Sequence, residues 1–200
     1  MENQFKDNAD HDQSSIRIEL MTPAAARFPK SILGGHSFNQ FCMMCKADGG
    51  LPIGVIEQGG RSAALVSLPN RKFIAMIGDK RFSVDSEDFG RALFDALDDA
   101  AYDLWGHAWN SAIAEIYHLN RRTTQRDRVQ KNFLPANVLH TIAHLSSNEN
   151  GPAMATNLLA IAGLHKSFNG NEPAVREAWQ FTVDAYFGSN DEGLRVVKGP

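Results

Sequence analysis

Four residues in this chain have the types and spacing that hold a metal ion. Cys42 and Cys45 form a C-x-x-C pair, and His140 and His144 stand four positions apart, which puts both imidazoles on one side of a helix. Zinc favours four sulfur and nitrogen ligands, so the two pairs make a candidate Cys2His2 set, either stabilising a domain or serving a metal-dependent enzyme. Nothing in the sequence itself brings the two halves together. The competing reading treats the cysteines as small buried hydrophobes and the histidines as surface groups, because one C-x-x-C without a second is a weak metal signature. A thiol redox role fits less well. Redox pairs open a helix after a buried strand, and no such strand precedes Phe41.

The second candidate is a line of acids. Asp95, Asp99 and Asp103 follow one another at four-residue steps with His107 beyond them, which places them along one side of a helix. Carboxylates and a histidine so placed can hold a divalent cation, and Glu115-x-x-His118 matches half of a di-iron pair. A second such half and two further glutamates are missing, so a solvated face or a docking surface for a basic partner is the stronger expectation. Like charges at this spacing weaken an isolated helix, which is a reason to expect a basic group close by. Residues 86–120 carry a net charge of −6, and the following segment RRTTQRDRVQK (121–131) carries +4. Arg121, Arg122, Arg126 and Arg128 are candidate contacts to phosphates or to an acidic partner, and Arg71, Lys72, Lys80 and Arg81 at predicted turns extend that patch. The competing reading is a solvated connector whose arginines offset the negative end of the helix before it.

Other signatures fail. Gly54-x-x-x-x-Gly59-Gly60-Arg61-Ser62 lacks the lysine of a phosphate loop and falls in a predicted hairpin, where that loop needs a strand followed by a helix. There is no G-x-S-x-G, no H-E-x-x-H and no dinucleotide fingerprint.

These side chains must be positioned by the surrounding elements, and the longest of these runs from Asp85 to Asn120. Leu93, Phe94, Leu97, Ala101, Leu104, Trp105, Ala108, Ala112, Ile116 and Leu119 recur at helical spacing. Asp85 is placed to cap the first turn. Unbroken, such a helix would span about 50 Å, and Gly106 is where a break is expected. Before it, Ser15–Leu20 alternates as a short strand. Residues 36–47 predict a helix with Phe38, Phe41, Met44 and Cys45 inward, ended by Gly49-Gly50. Residues 52–58 and 61–68 flank Gly59-Gly60 as a hairpin, and 72–77 and 81–84 continue a meander. After the basic segment, Pro135, Pro152 and Pro173 each announce a helix.

The chain has 200 residues, 43% of them apolar, and a net charge of −3, so it fits one α+β domain with no global field toward nucleic acid or membranes. The expected layout is an acidic disordered tail over 1–14 and a single domain over 15–187. That domain is mostly β to residue 84 and helical from 85, and a flexible end follows over 188–200. No apolar run approaches the length of a membrane span, and the polar, acidic start is unlike a secretory signal, which leaves the cytoplasm as the expected location. Charge asymmetry is the most definite feature. It points to a non-enzymatic interaction protein whose acidic helix face and basic segment bind a protein partner, with a zinc site or nucleic-acid binding as alternatives. Tyr102, Trp105 and Trp109 lie close together on the long helix, and a surplus aromatic surface there would favour a homo-oligomer.

Overall fold

The structure is a computed structural model and describes residues 15–84 and 87–191. The expected tail over 1–14 and the capping Asp85 lie outside the described residues. Five strands, β1 (Arg17–Leu20), β2 (Leu51–Gln58), β3 (Arg61–Ser67), β4 (Phe73–Ile77) and β5 (Lys80–Ser83), form one antiparallel sheet in the order β1-β2-β3-β4-β5. Each neighbour is also the next strand in sequence, so the sheet is a meander. The β2–β3 turn is made by Gly59 and Gly60, both at positive φ (57° and 71°), the conformation that a two-residue turn matching the sheet's twist requires. The chain is α+β, with this sheet first and helices after it.

The packing divides the chain between Thr156 and Asn157 into two units. In the first, the sheet is covered on both faces. Helix α1 (Phe38–Ala47) starts at a reciprocal cap, in which Ser37 Oγ accepts from the Gln40 N–H and Gln40 Oε1 accepts from the Ser37 N–H. It lays Phe41 and Cys45 on Val55, Ala64, Val66 and Met76, together with Met21, Phe28 and Ile32 from the preceding segment. Phe38, expected inward, is exposed, because it sits in the first turn beyond the reach of the sheet.

The opposite face carries α2 (Glu87–Trp105), α4 (Arg126–Asn132) and α5 (Ala136–Ser146). Phe89 of α2 meets Phe73 of β4 with ring centroids 5.0 Å apart, and Phe133 closes the cluster at 4.9 Å from Phe73. Leu93, Leu97 and Ala101 are fully buried, as are Leu139, Ile142 and Ala143 of α5.

The long amphipathic segment is two helices. Gly106 takes φ 65°, a left-handed conformation that ends α2, and after one short 3-10 turn α3 (Trp109–Ile116) begins. Trp109 then packs back on α2. Its indole N–H donates to Asp98 at 2.8 Å, and its ring lies 6.2 Å from that of Phe94. Trp105 donates to the Ala155 carbonyl. Of the three aromatics expected to form a surplus surface, Trp109 is buried, Trp105 is half-buried and Tyr102 is exposed, because the break at Gly106 turns the indole of Trp109 inward.

Residues 121–131 are more than a solvated connector. A 3-10 turn over Arg121–Thr124 and helix α4 bury Thr124 and Val129. Thr124 Oγ1 donates to the carbonyls of Arg121 and Asn110, which ties the segment to α3.

The second unit holds the end of α6 (Gly151–Ser167) and α7 (Glu172–Asp191), joined by a turn with Asn169 and Gly170 at positive φ. Ala162 and Val175 are buried there, Leu158, Leu159, Ile161, Leu164 and Trp179 are half-buried, and Phe181 is exposed. Helix α7 runs past Gly188 to Asp191, beyond the point where the apolar periodicity stops.

Candidate interaction site

The two metal pairs occupy different places. Cys45 is buried in the core on the α1 face of the sheet, with its Sγ 4.0 Å from the Met76 sulfur, and Cys42 is half-buried beside it. Burial pushes the Cys45 thiol up to about 12, and it raises that of Cys42 as well against the opposing pull of Lys46. His140 and His144 stand on α5, which packs with α2 on the other face of the sheet. His140 Nδ1 lies 2.7 Å from the Pro52 carbonyl in β2, so that nitrogen carries the proton and donates, and His144 is exposed. The sheet therefore separates the two pairs, and the structure does not bring the four together. Among the described residues no group of three or more His, Cys, Asp and Glu side chains is disposed to hold a metal ion.

The three acids of α2 are all exposed, yet they face different surroundings. Asp95 lies against α4. Arg126 reaches it at 3.4 Å and sets its guanidinium 5.3 Å from the centre of the Phe94 ring, a cation–π contact. The two helices touch here through their backbones. A Cβ on Gly90 would fall 2.4 Å from the Gln130 carbonyl oxygen, so glycine is what allows α4 to lie this close. The basic group expected beside the acids is thus Arg126. Arg121, Arg122 and Arg128 remain exposed, and Arg71 from the β3–β4 turn donates to the Asn132 carbonyl at 2.8 Å, which brings one turn cation to the end of α4.

Asp99 and Asp103 stand one and two turns further on, past the end of α4, and form no ion pair among the described residues. They line a cleft of about 350 Å³ whose other wall is β1. Its lining is mixed, with Ala96 and Ala100 of α2 beside Arg17 and Glu19 of the strand and Asn148. At the far rim Arg27 and Glu19 pair with each other at 3.1 Å, on the other face of the strand.

Strand β1 is an edge. Among the described residues it pairs only with β2, in the register Arg17↔Glu57 to Leu20↔Gly54. The Met21 N–H donates to the Ile53 carbonyl, so by antiparallel alternation Arg17 and Glu19 also turn their backbone groups to β2. Ile18 and Leu20 turn theirs away from β2, yet as whole residues they are only 8% and 2% exposed, so this rim of the sheet is covered. The next outward N–H, that of Thr22, is taken by Ser147 Oγ at 2.9 Å, which closes the edge at the C-terminal end of α5.

Sequence reasoning found the acids but missed this edge. The alternation marks β1 as a strand, whereas its position at the rim depends on pairing with β2 across a separation of roughly 35 residues. Comparison with protein-family models, with curated proteins and with solved structures finds no match for this chain.

Proposed function

We propose that the protein is an interaction module that binds a protein partner through the second half of α2, with Asp99 and Asp103 as the charged contacts and the adjoining cleft as the seat. The observation that carries this reading is the contrast along one helix. Asp95 is paired with Arg126, whereas Asp99 and Asp103 border the cleft and form no ion pair among the described residues. Exposed like charges four residues apart cost a helix a few tenths of a kcal/mol, and a basic group in the cleft would relieve that repulsion. A concave site with a few convergent charged groups is a common form of recognition site. Arg121, Arg122 and Arg128 are exposed and add to the long-range field that a charged partner meets.

The experiment is a selection of random 12-residue peptides on the whole protein, followed by titration of the best binder. The expected result is enrichment of Lys and Arg in the selected set. Affinity should fall about hundredfold for Asp99→Lys/Asp103→Lys, of the order that two lost charge contacts supply. Selection of peptides without basic residues, or binding indifferent to the double reversal, would remove the reading.

A further inference from the structure

The last two helices carry apolar surface that one copy of the chain does not cover. We infer that two copies associate through the second unit, with α6 and α7 of one laid against α6 and α7 of the other as a four-helix bundle. The residues involved are separate from the cleft beside α2, and so is the test.

From Gly151 to Leu164, α6 contains no ionisable side chain, and its apolar residues are spread round the helix rather than gathered on one side. A helix of that kind is normally enclosed. Here Leu158, Leu159, Ile161 and Leu164 are only half-buried. Among the described side chains of the second unit, Ala162 and Val175 are the two that are buried. A helix of α7's length is marginal in water without packing. The uncovered surface has a pattern. Asn157, Ile161, Leu164 and Phe168 follow at steps of four, three and four, and the N–H of Phe168 still donates to the Leu164 carbonyl. Ala174, Ala178, Phe181 and Ala185 repeat the same steps, the spacing with which helices pack side by side. Phe168 is 40% exposed and Phe181 74%, so within one chain neither stripe is closed.

Size, length and charge select the occupant. The α6 stripe carries Ile, Leu and Phe, whereas the α7 stripe sets three alanines round Phe181, so large side chains of one meet small side chains of the other. The α6 stripe of one copy therefore fits the α7 stripe of a second, and a two-fold axis makes the contact twice. Two helix pairs, each joined by a short turn, give a four-helix bundle. The chain's own ends are too poor in apolar side chains to cover both stripes. Residues 192–200 offer Leu194, Val196 and Val197, and residues 1–14 offer Met1, Phe5 and Ala9. An anionic membrane surface is disfavoured, because α7 sets Glu172, Glu177 and Asp184 against Arg176, whereas helices lying on membranes carry Lys and Arg on their polar side.

The test is sedimentation velocity of the full-length protein up to about 100 μM, a range that reports micromolar association. The expected species has twice the 22.0 kDa mass of the chain. Phe181→Asp and, separately, Ala185→Asp should each weaken association about hundredfold or more by placing a charge in the apolar seam. Both positions are exposed in a single copy, so helical circular dichroism should be kept. Phe181→Leu should hold association within about tenfold of the parent, since it keeps an apolar side chain there. Asp99→Lys/Asp103→Lys should leave the dimer intact, which separates this result from peptide binding at the cleft. A protein that stays at 22.0 kDa throughout would overturn the inference. In that event, flotation with phosphatidylcholine–phosphatidylserine vesicles would give the stripes to a membrane, and dimerisation of a chain ending at Asp191 would give them to the chain's own C-terminal residues. A dimer that both aspartate variants leave unchanged would place the contact elsewhere and overturn it equally.

Discussion

The two halves of α2 carry the same chemistry and have opposite fates. In the first half, Gly90 admits the α4 backbone, Phe94 takes the Arg126 guanidinium on its ring, and Asp95 is paired. In the second half the same helix, with the same four-residue step from Asp95 to Asp99 to Asp103, looks across a cleft at a strand edge. What differs is whether the chain returns to cover the helix. Segment 121–132 comes back over the first half and stops there, so acids that are equivalent in sequence become structural at one end and available at the other.

That contrast can be broken most directly by charge reversal. Asp99→Lys/Asp103→Lys should weaken a basic peptide about hundredfold, roughly 2.7 kcal/mol, whereas Asp95→Lys should change affinity less than about threefold. Titration by fluorescence anisotropy compares them, and equal losses from both variants would erase the distinction between the halves. The next largest effect concerns the covered half. Gly90→Ala forces a methyl group against the Gln130 carbonyl and should cost about 2 kcal/mol in urea unfolding, in the range of overpacked sites. Full stability in that variant would mean that α4 does not bear on α2.

A third prediction uses a covered place, the α1 face of the sheet, as the reference for what coverage means. The Cys45 thiol is raised from the ordinary 9.0 to about 12 by burial first, with the neighbouring Cys42 adding to it. The folded state therefore keeps this proton while the unfolded chain loses it. The resulting stability is whole below pH 9 and declines as pH rises toward 12, by up to about 1.4 kcal/mol per pH unit. Urea midpoints from pH 8 to 10.5 should show this slope, and Cys45→Ala should show a shallower one, since Cys42 is raised as well. The smallest effect is the Asp95–Arg126 pair itself. Both side chains are more than half exposed, so a double-mutant cycle should give under about 1 kcal/mol. A larger coupling would show that the pair, rather than the backbone contact at Gly90, holds α4 in place.

Much of the fold was legible because its signals are local. Alternation in β1, β2 and β3, the Gly59-Gly60 turn, the break at Gly106 and the prolines at the starts of the last three helices each act within a few residues. Helix α4 was illegible, because Arg126–Asn132 contains one apolar residue, Val129, and shows no periodicity. Its place was fixed by a glycine some 40 residues earlier, which reads in sequence only as a weak spot in a helix. The separation of Cys42/Cys45 from His140/His144 was equally hidden. Which face of a sheet a helix covers is decided by the handedness and length of its connections, and neither pair carries a mark of it. The acidic line was visible, but its division into a covered and an open part came only with the packing of α4.

The order of the strands also has a kinetic side. The ladders β2–β3, β3–β4 and β4–β5 close through short turns, whereas β1 pairs with β2 across the whole 21–50 segment, including α1. Ladders that close short loops form early, and a longer loop must lose more chain entropy before its contacts form. The three-turn meander is therefore expected to zip first and β1 to join last, so the strand that borders the cleft is also the final piece of the sheet to be laid down.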